Sequence, residues 1–427
     1  MPIQDIRVKH QALEDIGVVA RQLNIGKKCL VIADLNTYAV AGKKVLEVLA
    51  DHAFISNLCL FPTREVVKPD EYAAGQVMFD LDVDTDFLVV VGSGSLCDLT
   101  RYISSRTGLP FVAVPTAASM DGYASTVAAI LQGGFKRTFE AIYPHAILGD
   151  IDVLCHAPYE MTVAGFSDLI GKLNSRVDWM LSQIVTGEHY CEFVVDLVNS
   201  TVDMCVANTT GIRQRNPTVI VKLIEGLVLS GVGMLIVGNS RPASGSEHHL
   251  SHYWEMKSFI ERRPQHFHGT KVGVATGVMA KFYEKFFARN PASIDMASVR
   301  DRKESPTDWE KRITEHFGPA ASGALKQRDQ LYLPWAIQQQ QIVAIQNAWD
   351  RIMALQALEP SFERIAEIHA AVGVDIHPHA IDVDREYLRE TLLNAKDVRP
   401  RYSVLRAAET LGWLEEITEE VVNDYGF

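Results

Sequence analysis

No cysteine in this 427-residue chain stands at a spacing that suits a metal or a redox pair. The six thiols, Cys29, Cys59, Cys97, Cys155, Cys191 and Cys205, lie far apart and form no CxxC motif. Buried free thiols are the expectation, in place of disulfides or a zinc–thiolate site. Positive charge is in short supply as well: 41 Lys and Arg stand against 53 Asp and Glu, for a net charge of −12. The acids are spread along the chain, so no surface for a nucleic-acid backbone is expected. Long apolar runs are also missing. The most apolar stretch, 227–237, is interrupted by Ser230 and glycines and reads as too short to cross a bilayer. Residues 1–26 mix acids and bases (Asp5, Arg7, Lys9, Glu14, Asp15) without the charged-then-apolar order of an export signal. The expectation is a cytoplasmic protein with no membrane insertion.

The composition that remains, 47% hydrophobic and 22% charged, is that of a globular protein, and the length exceeds what one core usually serves. Two domains are expected, 1–157 and 158–427. The first carries short apolar runs at 29–33, 55–61, 87–91, 111–114 and 146–148, separated by helix-like segments. Such runs, bounded by Gly, Pro or Asp, suit strands buried on both faces, and their alternation with helices implies a Rossmann-like α/β domain with a parallel sheet. Gln132-Gly133-Gly134-Phe135 has the glycines of a hairpin turn and predicts an inserted ribbon. From Pro158 onward the apolar period becomes helical, over 159–181, 188–208, 219–237, 271–288, 335–358 and 404–421. The second domain is therefore expected to be all-α.

Three places in the first domain have residues suited to a nucleotide. The apolar run ending at Val91 enters Gly92-Ser93-Gly94-Ser95-Leu96-Cys97-Asp98, where small residues and a helix start would favour a pyrophosphate; a plain tight turn is the alternative. Pro115-Thr116-Ala117-Ala118-Ser119-Met120-Asp121-Gly122-Tyr123-Ala124-Ser125 follows the next strand, at the end of a parallel sheet where ligands sit. Thr116, Ser119 and Ser125 suit phosphate or nicotinamide, and Asp121 suits a substrate hydroxyl, unless these residues only cap the next helix. Asp34 ends the first strand, where an acid bonds an adenosine ribose and repels a 2′-phosphate, favouring NAD over NADP; a helix cap is again the alternative.

The second domain supplies imidazoles. In Ser246-Glu247-His248-His249-Leu250-Ser251-His252, His248 and His252 are four apart and share a helix face; His268 follows sixteen residues later, and Asp168 lies near the start of the helical half. One carboxylate and two imidazoles would leave a divalent cation an open position for substrate. Spacing alone leaves the ligand choice open among His248, His249, His252, His266 and His268.

With these motifs in this order, from about residue 28 to 405, the sequence resembles the glycerol-1-phosphate dehydrogenases, in the superfamily of glycerol dehydrogenase, iron-containing alcohol dehydrogenases and dehydroquinate synthase. The resemblance implies the dehydroquinate synthase-like fold. It matches Gly92, Gly94, Ser95 and Asp98 to the family's Gly-Gly-Gly-Ser turn with an Asp three residues on, with Ser93 replacing the middle glycine. It implies cofactor contacts at Thr116, Ser119 and Ser125 and a substrate contact at Asp121. GFSDLIGK is similar to the segment with the metal-binding Asp, here Asp168. SGSEHHLSH and HFHG resemble the segments that make His248 and His268 ligands and His252 a substrate or proton-relay residue. Arg399-Pro400-Arg401-Tyr402-Ser403-Val404-Leu405 resembles the C-terminal part of the bacterial members.

The implied activity is NAD(P)-dependent, metal-dependent interconversion of sn-glycerol-1-phosphate and dihydroxyacetone phosphate, with zinc, nickel or iron as the metal. Lys172, Arg241 and Lys271 are the cations considered for the phosphate. The apolar helix 219–237 leaves room for a homodimer contact. The competing readings are a dehydrogenase of an unphosphorylated polyol and a catalytically silent relative.

Overall fold

The computed structural model describes residues 3–133 and 135–427. Six strands form one sheet, paired in parallel throughout: β1 (Asp5–Lys9), β2 (Lys28–Asp34), β3 (Ile55–Phe61), β4 (Phe87–Gly92), β5 (Phe111–Pro115) and β8 (Ala146–Asp150), in the order β1-β8-β5-β4-β2-β3. The five apolar runs all lie in strands. β4, β5 and β8 are buried at every residue, as a sheet covered on both faces requires. β1 carries no such run. Its Asp-Ile-Arg-Val-Lys sequence puts charges at alternate positions, which an edge strand tolerates. β6 (Val127–Gln132) and β7 (Phe135–Glu140) form the antiparallel ribbon, with Gln132 opposite Phe135. Of its turn, Gly134 lies outside the described residues.

The order of strands fixes where a ligand belongs. From β2 the chain adds β3 on one side and then β4 on the other, so the direction of winding reverses between β2 and β4, the position at which open α/β sheets bind ligands beyond their carboxyl ends. Asp34 and Gly92 end those two strands, and Pro115, paired with Gly92, ends the next.

The chain divides into two compact units, Met1–Leu169 with Ser200–Gly238, and Ile170–Asn199 with Asn239–Phe427. In the first, Val31, Val89, Val112 and Leu148 of the sheet pack with Ile16, Val19, Val45 and Leu49 of its helices. Each such side chain, fully buried, contributes about 1.5–3 kcal/mol. This unit also holds the Pro217–Val237 helix, which begins ten residues before the apolar stretch, capped by the Asn216 side chain with proline in its first turn. At 21 residues, with a mean hydropathy of 2.1 over an 18-residue window, it is long and apolar enough to cross a membrane, which corrects the expectation that this region is too short; 67% of that window is buried inside the protein.

In the second unit the described residues form helices without strands. Its core joins Tyr253 and Trp254 to Phe282, Phe286, Leu388 and Ile417. Several expected helices are broken. The 159–181 segment divides at Gly171 into Tyr159–Ile170 and Lys172–Thr186. The 404–421 segment divides near Gly412, whose φ of +74° stops the Val404–Thr410 helix before Leu414–Asp424 begins. All six cysteines are free, four of them buried.

One close approach in the first unit places the loop after β5. A Cβ on Gly165 of the Tyr159–Ile170 helix would lie 1.9 Å from the carbonyl oxygen of Ala118. Gly165→Ala is predicted to lower the free energy of unfolding by about 3 kcal/mol or more, since backbone cannot rotate aside as a side chain can. The readout is the urea midpoint; an unchanged midpoint would mean that the loop yields without cost.

Candidate functional site

The glycine turn is a strand running into a helix start. β4 ends at Gly92, and the Gly94–Thr107 helix follows with Ser93 at its N-cap, where the Ser93 side chain makes no capping bond. The first helical N–H groups thus have no side-chain acceptor at the cap, which suits a phosphate. Ser93 has φ −119° and ψ −154°, extended backbone that any residue adopts, so its replacement of a glycine introduces no backbone strain. Asp98 pairs with the buried Arg101 at 2.6 Å, and Arg101 also donates to the carbonyls of Gly122 and Tyr123, tying this helix to the loop after β5. Asp34 is a helix cap: its Oδ1 accepts from Asn36 N–H at 2.9 Å and Thr37 N–H at 2.8 Å.

In the loop after β5, Thr116, Ser119, Asp121 and Ser125 are all buried. Thr116 N–H donates to the Gly92 carbonyl, and the Ser125 hydroxyl accepts from Val127 N–H at 3.1 Å. Asp121 is brought next to Asp168: its backbone N–H donates to Asp168 Oδ2 at 3.0 Å. The Asp121 carboxylate accepts from the Ser230 hydroxyl, also at 3.0 Å. Ser230, which interrupts the apolar run in the sequence, thereby orients a candidate catalytic group.

The helical unit brings three imidazoles together. His248 and His252 lie on the Ser246–Glu261 helix and His268 begins the His268–Phe287 helix, with ring centroids 5.3–5.9 Å apart. Each has its Nδ1 on a carboxylate. His248 meets Glu247 Oε1 at 2.7 Å, His252 meets Glu255 Oε2 at 3.1 Å, and His268 meets Glu255 Oε1 at 2.9 Å. An imidazole that donates from Nδ1 carries its lone pair on Nε2, the usual way a protein prepares a histidine for a cation.

Glu255, His252 and His268 also form a cluster whose ligand atoms all lie within 4.8 Å of one another. Used as a ligand, however, Glu255 would give up the acceptor positions that fix both rings. The donors therefore fit a divalent metal bound by imidazole Nε2, with Glu255 behind the rings. Glu247 adds to the fit: it is fully buried, and its Oε2 has no hydrogen-bond partner among the described residues. Burial, followed by the charge of Arg399, holds the His252 imidazole well below its usual range and keeps it neutral.

Of the cations considered for a substrate phosphate, Arg241 is taken up by Glu188, at 2.8 and 2.5 Å, and by the Tyr402 carbonyl. Lys271 pairs with Glu255 at 3.1 Å, and Lys172 donates to the Ala243 carbonyl at 2.9 Å. Sequence reasoning passed over Glu247 and Glu255. Glu255 stands three residues after His252, on one helix face, and a carboxylate at that spacing from a candidate ligand is the signal that could have found it.

Residues 7–158 match the iron-containing alcohol dehydrogenase family. The glycerol-1-phosphate dehydrogenase [NAD(P)+] of Geobacillus thermodenitrificans is 32% identical over 399 residues, covering 93% of this chain and 90% of its own. That of Halalkalibacterium halodurans is 40% identical over 256 residues, 60% of this chain and 64% of its own. A probable glycerol dehydrogenase from Sinorhizobium meliloti shares the fold, with a TM-score of 0.64 at 14% identity over 99% of this chain and 98% of that one. Identity above 30%, kept along nearly the whole of both chains, is more than a shared fold produces, and the chain belongs to the glycerol-1-phosphate dehydrogenase family.

Proposed function

We propose that this chain is an NAD(P)-dependent, divalent-metal-dependent dehydrogenase that interconverts sn-glycerol-1-phosphate and dihydroxyacetone phosphate. The observation that carries the reading is the preparation of His248 and His268, each with its Nδ1 bonded to a carboxylate, Glu247 or Glu255. Asp168 is proposed as the third ligand, which leaves the cation a position for a substrate oxygen. The choice of substrate is supported by the names of the relatives that match most of the chain.

In this reading the bound nicotinamide supplies the hydride acceptor or donor, and the bound cation, zinc, nickel or iron, polarises the substrate oxygen. Everything else falls to the chain. Gly92, Gly94 and Ser95 hold the pyrophosphate at the start of the Gly94–Thr107 helix, with Asp98, paired with Arg101, completing the cofactor turn, Thr116, Ser119 and Ser125 hold the nicotinamide side, and Asp34 takes the adenosine ribose, favouring NAD. Asp121, oriented by Ser230, fixes a substrate hydroxyl. His252, neutral and bonded through Nδ1 to Glu255, exchanges the hydroxyl proton at Nε2. Residues 1–157 would thus carry the dinucleotide and 158–427 the metal and most substrate contacts. The enzyme is proposed to work in phospholipid metabolism as a cytoplasmic homodimer without membrane insertion.

Chelation is predicted to abolish NADH consumption, and zinc, nickel or iron added back singly should identify the working metal; full activity in metal-free protein would refute the metal-dependent reading. With metal restored, dihydroxyacetone phosphate should be reduced in preference to dihydroxyacetone, and the reverse preference would make the enzyme a dehydrogenase of unphosphorylated polyols. Glu255→Gln is predicted to weaken metal binding by about 10- to 100-fold, because the amide no longer accepts from both His252 and His268. Competition with a chromogenic chelator measures this; unchanged affinity would mean that Glu255 does not prepare the ligands.

A further inference from the structure

Two arginines with no part in the scheme above converge on one neutral hydroxyl. Arg401 Nη2 donates to Ser240 Oγ at 2.5 Å, Arg399 Nη1 donates to the same oxygen at 3.4 Å, and Arg401 Nη1 donates to the Ser244 carbonyl at 3.1 Å. Among the described residues neither guanidinium has a carboxylate within ion-pair distance, whereas Arg241, next to Ser240 in sequence, is paired with Glu188 at 2.5 Å. Guanidinium groups stay charged, so two positive charges meet here, with the carboxylates that act on them, Glu255 on Arg399 and Glu188 and Glu247 on Arg401, all beyond ion-pair distance.

The surroundings are short of partners too. Ser244 Oγ, on a residue 3% exposed, and both ring nitrogens of His249, which is 0% exposed, make no hydrogen bond among the described residues. A buried polar atom without a partner is costly and is rare unless something binds it. The positive charge is felt locally. Burial, then Arg399 and Arg241, lower Arg401 to about 9.

We infer that Arg399 and Arg401, together with Ser240, Ser244 and His249, form the subsite for the phosphate group of the substrate. Two guanidinium forks, two hydroxyls and an imidazole offer more donors than a carboxylate has oxygen positions to use, and they match a dianionic phosphate monoester. The location suits this role: Ser244 precedes His248 by four residues, and His249 is its neighbour on the same helix. The inference rests on the dehydrogenase reading, and it replaces Arg241 and Lys271, already committed to Glu188 and Glu255, as the groups that recognise phosphate.

The test is calorimetric titration of inorganic phosphate into the full chain saturated with NAD, so that the glycine turn is filled. Wild-type protein and a control variant at the exposed, locally paired Arg364, Arg364→Gln, should bind phosphate alike. Arg399→Gln and Arg401→Gln should each weaken binding by about tenfold or more, and the double variant should abolish it. In turnover, each single variant should raise KM for dihydroxyacetone phosphate by a similar factor with a much smaller change in kcat. Phosphate binding retained by a folded double variant, or absent from the wild type, would overturn the inference; if the double variant does not fold, Arg399→Gln alone decides. If wild-type protein reduces dihydroxyacetone and not its phosphate while the arginine variants still lose phosphate binding, the anion subsite stands and the proposed substrate falls.

Discussion

A single buried carboxylate, Asp178, holds the frame on which the imidazoles stand. It is fully buried on the Lys172–Thr186 helix and accepts from the Ser246 N–H at 2.5 Å, the Val404 N–H at 2.6 Å and the Tyr283 hydroxyl at 2.7 Å. Those donors belong to the helix that carries His248 and His252, to the start of a C-terminal helix, and to the helix that His268 begins. Burial, together with the nearby charge of Glu247, pushes the Asp178 carboxyl above its usual range, and the hydrogen bonds from Ser246 and Tyr283 oppose that push. The approach is close enough to require glycine before the first of these helices: a Cβ on Gly245 would lie 2.7 Å from Asp178 Oδ2 and 2.8 Å from the Ser175 Cα. The positions of the metal-binding candidates are thus set by backbone and a carboxylate rather than by the imidazoles themselves.

Much of the sheet was legible because strands buried on both faces have to be apolar throughout, and little else in a sequence looks like β4 or β8. β1 was not, since an edge strand needs no such run. Helix breaks at Gly171 and Gly412 were hidden for a different reason: an apolar period carries on across a short interruption, whether the glycine keeps helical torsions, as Gly171 does, or turns left-handed, as Gly412 does. The Pro217–Val237 helix shows the limit of composition, because a protein interior and a lipid interior select the same side chains.

For the site, spacing offered five histidines and the family resemblance singled out His248, His252 and His268, which converge, but neither pointed to the carboxylates that orient them. Glu255 lies close in sequence to one ring it serves and 13 residues from the other, and only the packing of two helices makes it common to both. Arg399 and Arg401 lie some 160 residues from the serine they share, beyond the reach of any local pattern. At Asp34 the sequence permitted a helix cap and a ribose contact equally well, and the structure shows its Oδ1 engaged in capping.

Glu255 divides its two oxygens between two rings, Oε2 to His252 and Oε1 to His268, while Lys271 adds a positive charge beside Oε1. A rotation of that one carboxylate turns both imidazoles together. The ring proposed to carry the proton and the ring proposed to coordinate the metal thus share one carboxylate, and substitutions at His252 and His268 are not expected to act as independent perturbations even though they occupy different helices.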